Sequence, residues 1–177
     1  MMGALTRGLS GGAVATLAWL LLGVLAVGWT AVVPASLQLV YNASDSAPRG
    51  FYQVRPAFDL RVGDYVVARL PKAAARFAAT RGYLPRAVPV LKRIAATEGQ
   101  VVCICHRVVA IDDVALAQTL PVDGRGRPLM PWNHCRRLMA NELFLLNTGH
   151  PDSFDSRYFG PLDASFVRGI VVRRSRA

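Results

Sequence analysis

From Ala13 to Val33 the chain reads AVATLAWLLLGVLAVGWTAVV, 21 residues without a charge or a proline. A helix needs about 20 such residues to cross a bilayer, where no water satisfies a charge or an open backbone group. The run predicts a single transmembrane anchor over 12–36. A cleaved signal peptide also begins with a short basic stretch and an apolar run, but its apolar region is usually about 7–15 residues long. Arg7 is the last charge before Asp45. The positive-inside tendency then puts residues 1–11 in the cytoplasm and residues 37–177 across the bacterial inner membrane, in the periplasm, since long domains translocate largely regardless of charge.

The remainder is the size of one domain. The formal net charge of +10 invites a nucleic-acid reading. The arginines, however, are scattered from Arg49 to Arg176, and no helix-turn-helix, zinc or RNA-stacking motif accompanies them. A basic face near anionic lipid headgroups accounts for the charge without a nucleic-acid partner. Cys103, Cys105 and Cys135 leave an odd cysteine over. In an oxidising compartment one disulfide is expected, and Cys103 and Cys105 share a strand face that Cys135 could reach. Cys103 with Cys135 is the favoured pair. C-x-C with one distant cysteine, even with His106 and His134 nearby, lacks the paired knuckles of a zinc site, so no metal is expected.

Beyond the anchor the pattern is mainly β. GFYQVRP and GDYVVARL are rich in aromatic and β-branched residues bounded by Gly or Pro, and predict two early strands. Pro71 and Gly82 bracket one short helix, PKAAARFAATRGYL. VPVLKRIAAT, GQVVCICHRVVAIDDVAL, ELFLLN and SFVRGIVVRR predict further strands, with a hairpin turn at Asp112-Asp113. Residues 123–133 and the stretch after ELFLLN read as loops.

Acyl hydrolysis requires a nucleophile, a base and oxyanion donors. Ser46 is followed by Ala47-Pro48-Arg49-Gly50, where proline fixes φ and glycine permits a sharp bend. An ordinary turn would use the same residues. Of 21 basic residues only Lys72 and Lys92 are lysines, and arginine does not deprotonate at useful pH. Lys72 lies in a polar helical turn. Lys92 interrupts VPVLKRIAA, whose apolar neighbours would lower its pKa into a working range; the alternative is an amine snorkelling from a sheet edge. A histidine base is a further alternative, with His150 two residues from Asp152 in GHPDS. Asp155 and Arg157 could pair to hold the loop after ELFLLN, where Ser153 could bond a neighbouring side chain.

In this order the segments resemble the type I signal peptidases, membrane-anchored serine peptidases with a Ser-Lys dyad. SDSAPRG is similar to the nucleophile box, GDYVV to the strand motif after it, LKRIAATEGQ to the Lys-Arg box and DSFDSRYFG to the C-terminal box. The resemblance implies Ser46 as nucleophile and Lys92 as general base. It also implies Ser44 and the Ser46 N–H as the oxyanion hole, Ser153 as the residue that orients the lysine, and Asp155 with Arg157 as support. No cofactor is implied. Substrates would be exported preproteins with small residues before the cut, held in shallow pockets near residues 46–56 and 88–95. Only Ala47 separates Ser46 from Pro48, where housekeeping members usually place two residues. The compact Ser-x-Pro-x-Gly form, GRPLMPW, CRRLMANELFLLN and SFDSRYFGP are instead similar to the TraF-type peptidases of conjugative transfer, which process a pilin precursor and in some members cyclise it. A housekeeping signal peptidase, or a non-enzymatic component of a secretion or conjugation apparatus, is the alternative.

Overall fold

The computed structural model describes residues 11–32, 39–43 and 47–173, without the side chains at 13 and 30–32. Ser44, Asp45 and Ser46 of the bend, and the first ten residues, lie outside them. The chain divides into two compact units, Met1–Ser36 and Leu37–Ala177.

In the first unit α1 (Gly11–Val32) is an uncharged helix of 22 residues. Its Leu20, Leu21, Leu22, Val24 and Leu25 are all exposed, so its apolar side chains are not gathered on one face. Among the described residues no helix is long and apolar enough to cross a membrane.

The second unit is mainly β and antiparallel throughout its described pairings. Its elements are β1 (Leu39–Asn42), β2 (Gly50–Arg55), β3 (Tyr65–Ala68), α2 (Lys72–Thr80), β4 (Val90–Ala96), β5 (Val101–Cys105), β6 (Val108–Ile111) and β7 (Val114–Gln118). They continue with β8 (Cys135–Arg137), β9 (Glu142–Leu145), α3 (Ser156–Phe159), β10 (Leu162–Asp163) and β11 (Val167–Arg173). One sheet runs β1-β2-β11-β3-β4-β9-β10; a smaller one runs β7-β6-β5-β8.

The alternation of side chains in β4 decides what each face of the large sheet holds. Val90 and Ile94 join Val66, Leu145 and Leu162 in one core, closed by Ala74 and Ala78 of α2. Leu91 points to the other face, towards Tyr52, Val67 and Val171. A third cluster joins Ala96 and Phe144 to Val102, Ile104 and Val109 of the small sheet. Full burial of side chains such as Ile94 or Phe144 contributes roughly 1.5–3 kcal/mol each.

Four elements differ from the sequence expectation. A second helical turn, α3, occupies a segment read as loop, because the Asp155 carboxylate caps it by accepting from Arg157 N. β1, β8 and the two-residue β10 form where no strand was expected. β1 pairs with β2 in register Tyr41↔Phe51, and β8 pairs with β5 in register Cys103↔Cys135; β1, Leu-Val-Tyr-Asn, has strand-forming residues of its own, whereas β8, Cys-Arg-Arg, relies on its neighbour. The Asp112-Asp113 turn joins β6 to β7 with both φ positive, as a two-residue hairpin of the primed type requires.

Candidate active site

Lys92 sits mid-strand in β4, directly across from the fully buried Val66 of β3. The pleat puts it on the face of Val90 and Ile94, so its ammonium would sit among core side chains. It is 4% exposed. Burial lowers its pKa from 10.5 to about 8; the Asp155 charge opposes this shift and the Arg157 charge assists it. Its Nζ donates to Ser153 Oγ at 2.6 Å. Lys72, in contrast, is exposed.

Ser153 is held by the ion pair two residues on. Arg157 Nε and Nη2 donate to the two Asp155 oxygens at 2.8 and 2.9 Å. Both side chains are buried, at 1% and 0% exposure. The remaining guanidinium donors grip three main-chain carbonyls: Gln118 at the end of β7, His150, and Ser153 itself. Asp155 also accepts from Asn147 N. The pair thus ties the loop 147–155 to β7 and fixes the Ser153 backbone, from which its hydroxyl reaches the amine. A buried charge pair with its donors engaged is the form in which such pairs are tolerated inside a protein.

The described flanks of the Ser44–Ser46 bend are pinned by two side chains that sequence reasoning missed. Asn42 Nδ2 donates to Ala47 O at 2.8 Å and to Pro48 O at 3.3 Å. Tyr52 Oη donates to Pro48 O at 2.6 Å. Both residues are buried. Their one sequence signal is a polar side chain on each of two strands flanking a Ser-Pro-Gly turn.

A cavity of about 700 Å³ opens beside Lys92 and Ser153. Its walls are mostly apolar, among them Leu39, Leu70, Leu84, Val88, Leu120 and Leu129. Residues 88–92 line it, whereas none of residues 46–56 does; β1 and residues of the 120–129 loop supply other parts of its wall. The histidine alternative is not assembled. Among the described residues no hydrogen bond joins His150 to Asp152, and the His150 carbonyl is the group engaged with Arg157. His134 packs its ring 5.0 Å from that of Trp132, and His106 lies in the turn between β5 and β6. Cys103 and Cys135 are joined by a disulfide, and Cys105 is a free, exposed thiol.

The sequence model of the signal peptidase family, peptidase S26, matches residues 12–175. The chain is 30% identical to a probable conjugal transfer protein TraF of Sinorhizobium fredii (strain NBRC 101917 / NGR234), over 73% of either chain. It is 33% identical to a conjugal transfer protein TraF of Agrobacterium tumefaciens (strain 15955), over 73% of this chain and 78% of that one. A plasmid transfer protein TraF of Escherichia coli is 28% identical over the same shares. A signal peptidase I of Enterococcus faecalis V583 superposes with a TM-score of 0.41 at 19% identity, over 67% of this chain and all of that one. By its family match and its TraF relatives, the chain belongs to the signal peptidase family, peptidase S26, as a TraF-like member.

Proposed function

We propose that the protein is a membrane-anchored serine endopeptidase that matures exported preproteins by a Ser46–Lys92 dyad, its preferred substrate being a conjugative pilin precursor. The observation that carries the reading is the Lys92 amine, buried on an apolar sheet face, with its pKa lowered to about 8 and its nitrogen held by Ser153. A lysine so placed is a base that operates near neutral pH. Neutral Lys92 takes the Ser46 hydroxyl proton as the oxygen attacks the scissile carbonyl, and Ser44 with the Ser46 N–H receives the oxyanion. The amine fragment leaves with a proton from the Lys92 ammonium. Water then hydrolyses the acyl-enzyme, or a substrate amine closes it into a ring.

The anchor is the sequence run from Ala13 to Val33, whose 21 residues without a charge or a proline have the length a span needs; residues 1–11 stay cytoplasmic and residues 37–177 work in the periplasm. The test is co-expression with a pilin precursor and mass spectrometry of the product, for wild type, Ser46→Ala and Lys92→Ala. Loss of cleavage in both variants, with each protein present and folded in the membrane, is expected. Cleavage by Lys92→Ala would place the base elsewhere. A product one water lighter than the linear form identifies cyclisation.

A further inference from the structure

A groove of about 340 Å³ shares part of its wall with the cavity beside Lys92. Pro71, Ala73 and Phe77 line it from the side of α2, together with Met130 and Phe159. Leu129, Phe154 and Tyr158 line both the groove and the cavity. Among the described residues no charged side chain lines the groove. The Tyr158 hydroxyl, a polar group in this lining, already accepts from Leu120 N at 3.0 Å.

Aromatic rings gather at the shared wall. Phe154 has Phe77 stacked on it at 5.5 Å and Tyr158 at 5.9 Å, with Tyr83 and Phe159 at 5.5 Å each. Phe154 and these four neighbours are nevertheless only half-buried, and Met130 is 77% exposed. Apolar side chains gathered in a groove and left open to water, rather than scattered singly, mark a binding surface. The groove is also built in advance of any occupant. Asp123 accepts from Tyr83 Oη and Arg127 Nε, and Arg81 Nη2 donates to Pro128 O, which fastens the 123–128 turn to the chain at the end of α2. Leu129 N then donates to Pro121 O at 2.9 Å, so the segment that presents Leu129 and Met130 is fixed beforehand.

Phe154 directly follows Ser153, whose hydroxyl accepts from Lys92 Nζ at 2.6 Å. The shared wall therefore begins one residue from the group that holds the amine. A leader removed from an exported protein carries an apolar region of about 7–15 residues ahead of a cleavage site of small residues. With the small residues beside Lys92, the apolar ones come next along the bound chain. We infer that the groove is a subsite for a large apolar side chain of the substrate, upstream of the small residues at the cut, an inference that rests on the proposed peptidase reading.

The full-length protein in phosphatidylcholine nanodiscs is given synthetic peptides with alanine at the first and third positions before the scissile bond. A single leucine or serine occupies each of the fourth to seventh positions before it in turn. Leucine at one or two adjacent positions should raise kcat/KM about fivefold over serine, through KM, which is less than full burial of a leucine would give. Ala73→Glu and Met130→Glu, which bring a carboxylate to the groove from exposed positions, should each abolish that preference, and Met130→Leu should keep it. A gain equal at every position is partition into the lipid and overturns the subsite. No gain at any position, or a gain that survives both glutamate variants, overturns it too.

Binding of the same peptides, fluorescently labelled, to Lys92→Ala protein separates this inference from the reading beneath it. Tighter binding of the leucine peptide, lost when Ala73→Glu is added, with no turnover by wild type keeps the groove and rejects the dyad. Equal binding of leucine and serine peptides, with turnover by wild type, rejects the groove and keeps the dyad.

Discussion

A lysine with only 4% of its surface exposed is held out of water at some expense in stability. Unfolded, Lys92 titrates at 10.5; folded, it titrates at about 8. Between those values the unfolded chain binds a proton that the folded chain does not, so this group's contribution makes stability rise with pH across that window. Below about pH 8 the full cost is present. Lys92→Met should therefore stabilise the protein at pH 7 by about 1–3 kcal/mol while abolishing cleavage, since one pKa unit is worth about 1.4 kcal/mol and Ser153 loses a partner. Urea titrations at about pH 7 and about pH 10.5 check this: the gap between variant and wild type should narrow as pH rises. In wild type, kcat/KM should climb about tenfold per pH unit on the acid side and level off above about pH 8. Ser153→Ala should reduce kcat about 10–100-fold with little change in KM, because it frees the base without removing it or touching most of the cavity wall. Lys92 was legible in the sequence because its apolar neighbours are adjacent in the chain. Asn42 and Tyr52 were not, because their partners are carbonyls of a bend that exists only once the chain is folded.

The same distinction holds for whole elements. β2, β4 and β11 carry β-branched and aromatic residues that favour strands by themselves. β8 is Cys-Arg-Arg and becomes a strand only by lying against β5. β1 was masked by the apolar run before it. α3 was masked by turn-forming residues, although Asp155 two positions before Arg157 is the signal for its capped start. This short helix supports the site beyond its length. Its Arg157 carbonyl accepts from Trp132 N at 2.9 Å, and a Cβ on Gly160, which ends the helix at φ +76°, would meet the Trp132 indole at 2.6 Å. Arg157→Met leaves the buried Asp155 charge without its partner and should cost about 3–5 kcal/mol in equilibrium unfolding. Activity of the surviving folded fraction should fall as well, because the Ser153 carbonyl is released. An unfolding free energy within about 0.5 kcal/mol of wild type, the range of ordinary surface substitutions, would contradict this role.

At the scale of the molecule, two sheets meet around Ala96 and Phe144, and one covalent link lies within the smaller of them. The disulfide closes a separation of 32 residues, which includes β6, β7 and the 119–133 loop. Chain-entropy reasoning gives such a closure about 3–4 kcal/mol. Replacing both Cys103 and Cys135 by serine should lower stability by about 2–4 kcal/mol, read by denaturant titration of oxidised and variant protein. A change smaller than about 1 kcal/mol, well below what native disulfides typically contribute, would show that the loop is already ordered without the link.

The chain has three tryptophans, Trp19 and Trp29 in α1 and Trp132 in the β unit. Produced from Leu37 onward and excited where tyrosine does not absorb, the protein would emit from a single tryptophan. That indole packs on Gly160, and its own main-chain N–H is bonded to the residue that clamps Ser153. The colour of its emission would then be an optical readout of the clamp on Ser153, shifting to the red whenever the Arg157 turn loosens, with no label added and no substrate present.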